Sequence, residues 1–277
     1  MLPGYNTNGF AHHRLEDAVA LLADLGYRSV ALTLDHHALD PFAADLSAQR
    51  DRIAALLARH RLHCVIETGA RFLLDPWRKH QPTLLDPDPA ARAVRLDFLS
   101  RAVDLAADLG ADAVSFWSGT PPAAEPDESL RRRLVDGCLR LCDHADRRDV
   151  RLAFEPEPGM FVDTMTRFAD LSAQVAHPRF GLTLDIGHLY CTGEMPVTPH
   201  LEQWADVLWN VHLEDIRDGI HDHRMFGEGD VDFAELFAGL GKVGYAGGLH
   251  VELSRHSHNA VETARQSLAF LRRWGVG

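Results

Sequence analysis

Four short runs each close on a side chain able to bind a metal ion: Leu152-Ala-Phe-Glu155, Leu182-Thr-Leu-Asp185, Trp209-Asn-Val-His212 and Leu249-His-Val-Glu252. The four terminal residues are 30, 27 and 40 positions apart, and each gap is about what one strand plus one helix consumes. If the runs are successive parallel strands around a closed barrel, the four side chains meet at one rim. Three carboxylates and one imidazole form a hard, oxygen-rich set, suited to Mn²⁺, Mg²⁺ or Co²⁺ more than to a structural zinc. Any one of them alone could equally cap a helix or fix a loop. Four at the ends of four consecutive strands carry the metal reading.

Other residues stand close to these in the chain. His188, three positions past Asp185, could contact a substrate hydroxyl or support the ligands from behind, or simply lie at the surface. Gly187 would permit a tight turn there. Glu157 shares strand parity with Glu155 and could face the same pocket, held by the prolines of Glu155-Pro-Glu-Pro-Gly, or it could bond loop amides. Beyond His212, Arg217 could hold a polar or anionic substrate end or be a solvated charge, and His223 is a further candidate contact. Trp117 and Phe72, on loops after strands, could form an apolar wall or be packing residues. Asp232 suits a helix N-cap.

The elements needed to position these groups alternate along the whole chain. Strands are expected at Tyr5–Phe10, Ser29–Leu34, His63–Glu67, Ala113–Trp117, Arg151–Glu155, Gly181–Ile186, Val207–Leu213 and Gly247–Leu253. Helices are expected at Leu15–Leu25, Asp45–His60, Arg92–Leu109, Glu128–Arg148, Thr164–Val175, around Leu201–Leu208, Asp232–Val243 and His258–Trp274, on apolar stripes of helical period. Gly26 and Gly110 are natural C-caps. Eight βα units without a linker-like break predict an α/β fold, a single (β/α)8 TIM barrel spanning 1–277, with its site at the C-terminal ends of the strands. Residues 68–90 form the longest irregular stretch and carry four prolines; a loop of that length is usually functional.

Composition narrows the classes. The chain has 277 residues, 46% apolar and 25% charged, as expected of a globular protein. A net charge of −12 disfavours sequence-independent nucleic-acid binding, which needs phosphate neutralisation. No apolar stretch is long enough for a membrane span, no secretory signal is visible at Met1, and a cytoplasmic location is the default expectation. The four cysteines, Cys64, Cys138, Cys142 and Cys191, read as small buried hydrophobes more than as a disulfide framework or a soft metal pair. With Lys79 and Lys242 the only lysines and no glycine-rich phosphate loop, an unphosphorylated substrate is mildly favoured.

The chain resembles, essentially end to end, the xylose isomerase-like TIM-barrel superfamily (AP endonuclease family 2), which holds sugar isomerases, ketose 3-epimerases, inosose dehydratases and endonuclease IV. The resemblance rests on Phe154-Glu155-Pro-Glu-Pro, Leu184-Asp185-Ile-Gly-His188, Val211-His212-Leu-Glu-Asp215, Phe226-Gly-Glu-Gly-Asp-Val-Asp-Phe233 and Val251-Glu252. It implies one divalent ion, Mn²⁺ first and Mg²⁺, Co²⁺ or Zn²⁺ as alternatives, held by Glu155, Asp185, His212 and Glu252. It also implies that Glu155 and Glu252 are the acid/base pair of a sugar isomerase or epimerase working through an enediolate. A dehydratase on the same site is the first alternative. A zinc hydrolase like endonuclease IV would need histidines at the third and fourth strand ends, which here read Glu67-Thr-Gly-Ala and Phe116-Trp-Ser-Gly; His188, His221 and His223 resemble only part of its cluster. A barrel that binds without turnover is the remaining reading. The expected partner is a small sugar, with no nucleic acid and no membrane, and self-association is left open.

Overall fold

The computed structural model describes residues 1–277. Eight parallel strands close into a barrel: β1 (Leu2–Asn6), β2 (Ser29–Thr33), β3 (His63–Glu67), β4 (Val114–Phe116), β5 (Leu152–Phe154), β6 (Phe180–Asp185), β7 (Leu208–Leu213) and, after a hairpin of β8 (Asp215–Arg217) with β9 (Ile220–Arg224), β10 (Gly248–Val251). The closure runs β1-β10-β7-β6-β5-β4-β3-β2. The outer helices are α1 (Leu15–Leu25), α2 (Leu46–His60), α3 (Pro89–Leu109), α4 (Asp127–Arg148), α5 (Met165–Val175), α6 (Ile186–Thr192), α7 (Thr198–Trp204), α8 (Phe233–Lys242) and α9 (Ala260–Arg273). No helix is long and apolar enough to cross a membrane.

The longer helices lay apolar faces against the barrel, and the buried side chains merge into one core of 67 residues. Gly26 and Gly110 end α1 and α3 in the left-handed conformation, as their positions predict. Asp232 caps α8, its carboxylate accepting from the Glu235 amide. Cys64, Cys138 and Cys142 are buried free thiols and Cys191 a half-buried one.

Two local expectations give way, and one further element was not anticipated. The first strand is Leu2–Asn6, not Tyr5–Phe10: the Asn6 side chain accepts from the Asn8 amide and turns Thr7–Phe10 into a 3₁₀ segment. The chain does not make the tight turn expected at Gly187. Asp185 caps α6 directly, accepting from the His188 amide at 3.0 Å, and Gly187 lies in that helix because a Cβ there would meet the Glu214 carboxyl at 1.9 Å. The segment after His212 forms a hairpin, with Arg217 opposite Ile220 and Asp218 and Gly219 both at positive φ, a two-residue turn of the type that Asp-Gly favours.

Candidate active site

Glu155, Asp185, His212 and Glu252 leave the C-terminal ends of β5, β6, β7 and β10, and their ligand atoms all lie within 4.8 Å of one another. His212 Nδ1 is 3.0 Å from Glu155 Oε1, 2.9 Å from Glu252 Oε2 and 3.7 Å from Asp185 Oδ2. Asp185 divides its carboxylate: Oδ1 caps α6, whereas Oδ2 is buried without a hydrogen-bond partner. A buried carboxylate oxygen left bare is costly, and here it faces two more carboxylates and an imidazole nitrogen. Such a donor set fits a hard divalent cation.

The rest of the His212 ring is fixed from below. Its Nε2–H donates to Glu67 Oε1 at 2.9 Å, which also accepts from Asn210 Nδ2 at 3.0 Å. The Asn210 oxygen accepts from His250 Nδ1–H at 2.7 Å, and His250 Nε2 accepts from the Ser29 hydroxyl at 2.8 Å. This chain fills the barrel interior with satisfied polar groups and orients the Nδ1 of His212 toward the cluster, the arrangement in which a carboxylate behind a histidine raises its basicity. Glu252 is oriented likewise, with Asn8 Nδ2 donating to its Oε1 at 2.8 Å.

Burial opposes charge on every member, and the neighbours decide the outcome. Burial lowers the His212 pKa, but Glu67, Glu155 and Glu252 outweigh it and hold the imidazole well above its ordinary value. Burial pushes Glu155 up to about 8. Glu252 is held well below the usual carboxylate range: burial raises it, and His212, His223 and the Asn8 hydrogen bond more than reverse that. The cluster thus contains its own positive charge on His212, in the place where a divalent cation would supply it.

Glu155, His212 and Glu252 open onto a cavity of about 410 Å³ at the C-terminal mouth of the barrel, within the range of small-ligand sites, whereas Asp185, 2% exposed, is not among its lining residues. Of the residues read from the sequence, Glu155, Glu157, His188, His212, His223, Glu252 and Trp117 line it. His188 Nδ1–H donates to the Pro156 carbonyl at 2.9 Å, so Nε2 presents its lone pair, 3.6 Å from Glu157 Oε2 and 3.2 Å from His221 Nε2. His223 is held by the Glu252 carbonyl at 3.0 Å. Burial pushes the His221 imidazole down to about 4, and burial pushes Glu157 well up, with Glu155 adding to it.

Arg217 and Phe72 do not join them. Arg217 closes β8 on the exposed side of the hairpin, outside the cavity, and Phe72 is 47% exposed. The cations that do reach the cavity are Arg71, Lys79 and Arg255. Asn6, Asn8, Thr33 and Glu67 also line it and were not read from the sequence. Glu67 ends a strand that the sequence located correctly, and a carboxylate at that position was the signal.

A closed eight-stranded parallel barrel with a carboxylate–imidazole cluster at its C-terminal mouth defines the class: an enzyme of the TIM-barrel architecture with a site suited to a divalent cation. The family model for the xylose isomerase-like TIM barrel matches residues 19–274, and the chain belongs to that family. It is 26% identical over 238 residues to L-ribulose-5-phosphate 3-epimerase UlaE of Escherichia coli, covering 86% of this chain and 81% of that protein. Among solved structures, an L-ribulose 3-epimerase superposes with a TM-score of 0.80 at 20% identity, over 99% of this chain and 94% of the other. D-allulose 3-epimerase from Methylomonas sp., solved with D-allulose, gives 0.78 at 21% identity, over 99% and 96%. The chain is a metal-site barrel enzyme related to sugar epimerases and isomerases.

Proposed function

We propose that the protein is a divalent-metal-dependent epimerase or isomerase of a keto-sugar, with Glu155, Asp185, His212 and Glu252 as metal ligands. The observation that carries this is the bare, buried Oδ2 of Asp185 inside a cluster of two further carboxylates and an imidazole. The epimerase names of the relatives supply the reaction class. Bound there, a divalent cation would polarise a substrate carbonyl and adjacent hydroxyl and so acidify the C–H of the hydroxyl-bearing carbon next to the carbonyl.

The chain's own groups do the rest. Glu155 and Glu252 stand on β5 and β10, on either side of β6 and β7, so they reach a substrate from two directions. One removes the proton from carbon and the other delivers a proton to the other face or to the neighbouring carbon. Asn8 holds the Glu252 carboxylate in place. Glu157 and the lone pair of His188 Nε2 accept from sugar hydroxyls, and Trp117 and His223 close the wall around them. Mn²⁺ is the first choice of ion on the oxygen-rich donor set.

The test is deuterium wash-in. Mn²⁺-loaded protein incubated in deuterated water with ketoses of four to six carbons, free and phosphorylated, incorporates deuterium at carbon, and Glu252→Gln abolishes it. No incorporation into any of them overturns the proposal. A product lighter by one water assigns the site to a dehydratase instead.

A further inference from the structure

The mouth of the cavity carries Arg71, Lys79 and Arg255, three cations that the acid–base chemistry does not use. The chain has a net charge of −12 and only two lysines. Lys242 is neutralised by Glu202 on the outside of the barrel. Lys79 is in no ion pair, and neither is Arg71; between them, Arg78 is the one matched to a carboxylate, Asp75 at 2.7 Å. Arg255 donates only to the His221 carbonyl, at 3.2 Å. Three cations without a carboxylate partner therefore share one opening of an acidic protein.

Its placement is asymmetric. Arg71 and Lys79 belong to the loop after β3, and Arg255 to the turn after β10. In the closure β3 and β10 are joined through β2 and β1, so the three cations crown one half of the rim. The carboxylate cluster rises mainly from the other half, at β5, β6 and β7. A ligand spanning the cavity would meet the carboxylate cluster at one end and the cations at the other.

The cationic loop is built rather than loose. Arg95 of α3, 3% exposed, donates from Nε to the Pro82 carbonyl and from Nη2 to the His80 carbonyl, both at 2.7 Å. Its guanidinium also lies 5.0 Å from the Trp117 ring centre. The His80 amide donates to the Arg71 carbonyl at 2.6 Å, closing the loop on itself. A buried guanidinium with carbonyls but no carboxylate as partners is an expensive anchor, and what it anchors is the segment that presents Lys79 and Arg71.

We propose that Arg71, Lys79 and Arg255 form an anion subsite that takes the phosphate ester at the far end of the sugar, making the substrate a phosphorylated ketose. Two guanidinium forks and an ammonium are the donor types that hold a phosphate dianion. The scarcity of lysine, which argued for an unphosphorylated sugar, misleads because it counts residues along the chain and not at the opening. The proposal rests on the keto-sugar reading of the site and adds the substrate class.

Calorimetric titration of the Mn²⁺-loaded protein compares a ketopentose 5-phosphate with the same unphosphorylated ketopentose, with a ketouronate and inorganic phosphate as further ligands. The phosphorylated sugar binds at least about tenfold more tightly than the free one. In Arg71→Ala, Lys79→Ala and Arg255→Ala, each checked by its melting temperature, that preference shrinks. Equal binding of the two sugars, or a preference that survives all three substitutions, overturns the subsite. A ketouronate bound more tightly than the phosphate ester overturns the phosphate and assigns a sugar acid. Deuterium wash-in separates the two levels: exchange with free ketoses and no gain from phosphate sinks the subsite alone, whereas Arg71-dependent phosphate-ester binding without exchange in any ketose sinks the epimerase reading alone.

Discussion

Glu67 Oε1 stands 2.9 Å from His212 Nε2, on the opposite edge of the imidazole from the Glu155 and Glu252 carboxylates that face Nδ1. The ring is thereby fixed in rotation and tautomer, with its lone-pair edge toward the cluster when neutral. Carboxylate support of this kind typically contributes 10- to 100-fold to metal affinity. Glu67→Gln keeps a hydrogen-bond acceptor behind the ring and removes the charge. Mn²⁺ titration of that variant is expected to show about tenfold weaker binding with an unchanged fold by circular dichroism. Unchanged affinity would remove Glu67 from any role in the metal site.

The same geometry sets a pH dependence for metal binding. The carboxylates around His212 raise its pKa against the effect of burial, so the metal-free imidazole is protonated at neutral pH, and burial brings Glu155 to about 8. Both must lose a proton to act as ligands. Metal and proton therefore compete, and affinity falls as pH falls. Each proton released steepens the dependence by about tenfold per pH unit. Mn²⁺ dissociation constants from pH 6 to 8 are expected to tighten by more than about tenfold per unit, and a flat profile contradicts this charge assignment.

His250 has the opposite sign of shift and a different consequence. Burial pushes its pKa down to about 3, while Ser29 and Asn210 hold the neutral ring. The unfolded chain takes up a proton on this residue below its ordinary value of 6.5, and the folded protein does not. Its contribution is therefore complete above that value and is lost as pH falls below it, at about 1.4 kcal/mol per pH unit. Other groups titrate in the same range, so the useful quantity is the stability difference between wild type and His250→Gln, measured by urea unfolding at pH 5 and pH 7. That difference is expected to narrow by about 2 kcal/mol at pH 5. A difference independent of pH would show that His250 titrates normally in the fold.

The barrel and the four-residue cluster were legible because strand ends of a parallel barrel converge by construction. Glu155, Asp185, His212 and Glu252 could be placed at one rim from their spacing alone. The neighbours of the cluster were less legible, since they depend on contacts between distant segments. Asn8 meets Glu252 across 244 positions, and Glu67 meets His212 across 145. Arg217 was drawn to the site by its nearness to His212 in the chain. The Asp218-Gly219 turn reverses the backbone directly after it, and that dipeptide, a strong hairpin signal, was the clue that Arg217 faces outward. The helix α6 escaped notice because it is seven residues long and starts at Asp185 itself, a residue that both caps the helix and turns its other oxygen to the cluster.

Asp215 shows how the hairpin beside the cavity is held. It is 1% exposed and lies three residues past His212, and its carboxylate accepts from the amides of Gly227, Gly229, Val231 and Ile216 at 2.8, 2.9, 3.2 and 3.0 Å. Gly229 is required there, because a Cβ would lie 2.3 Å from Asp215 Oδ1. The carboxylate thus gathers the Gly227-Glu-Gly-Asp-Val231 stretch under the hairpin that carries His221 and His223. Asp215→Ala strands several amide donors in the interior and is expected to cost at least about 3 kcal/mol in denaturant unfolding. Asp215→Asn, which keeps one acceptor oxygen, is expected to recover part of it. The cluster of Glu155, Asp185, His212 and Glu252 does not include this hairpin, so Asp215→Ala should weaken sugar binding more than Mn²⁺ binding. A loss confined to Mn²⁺ affinity would place Asp215 in the metal site instead.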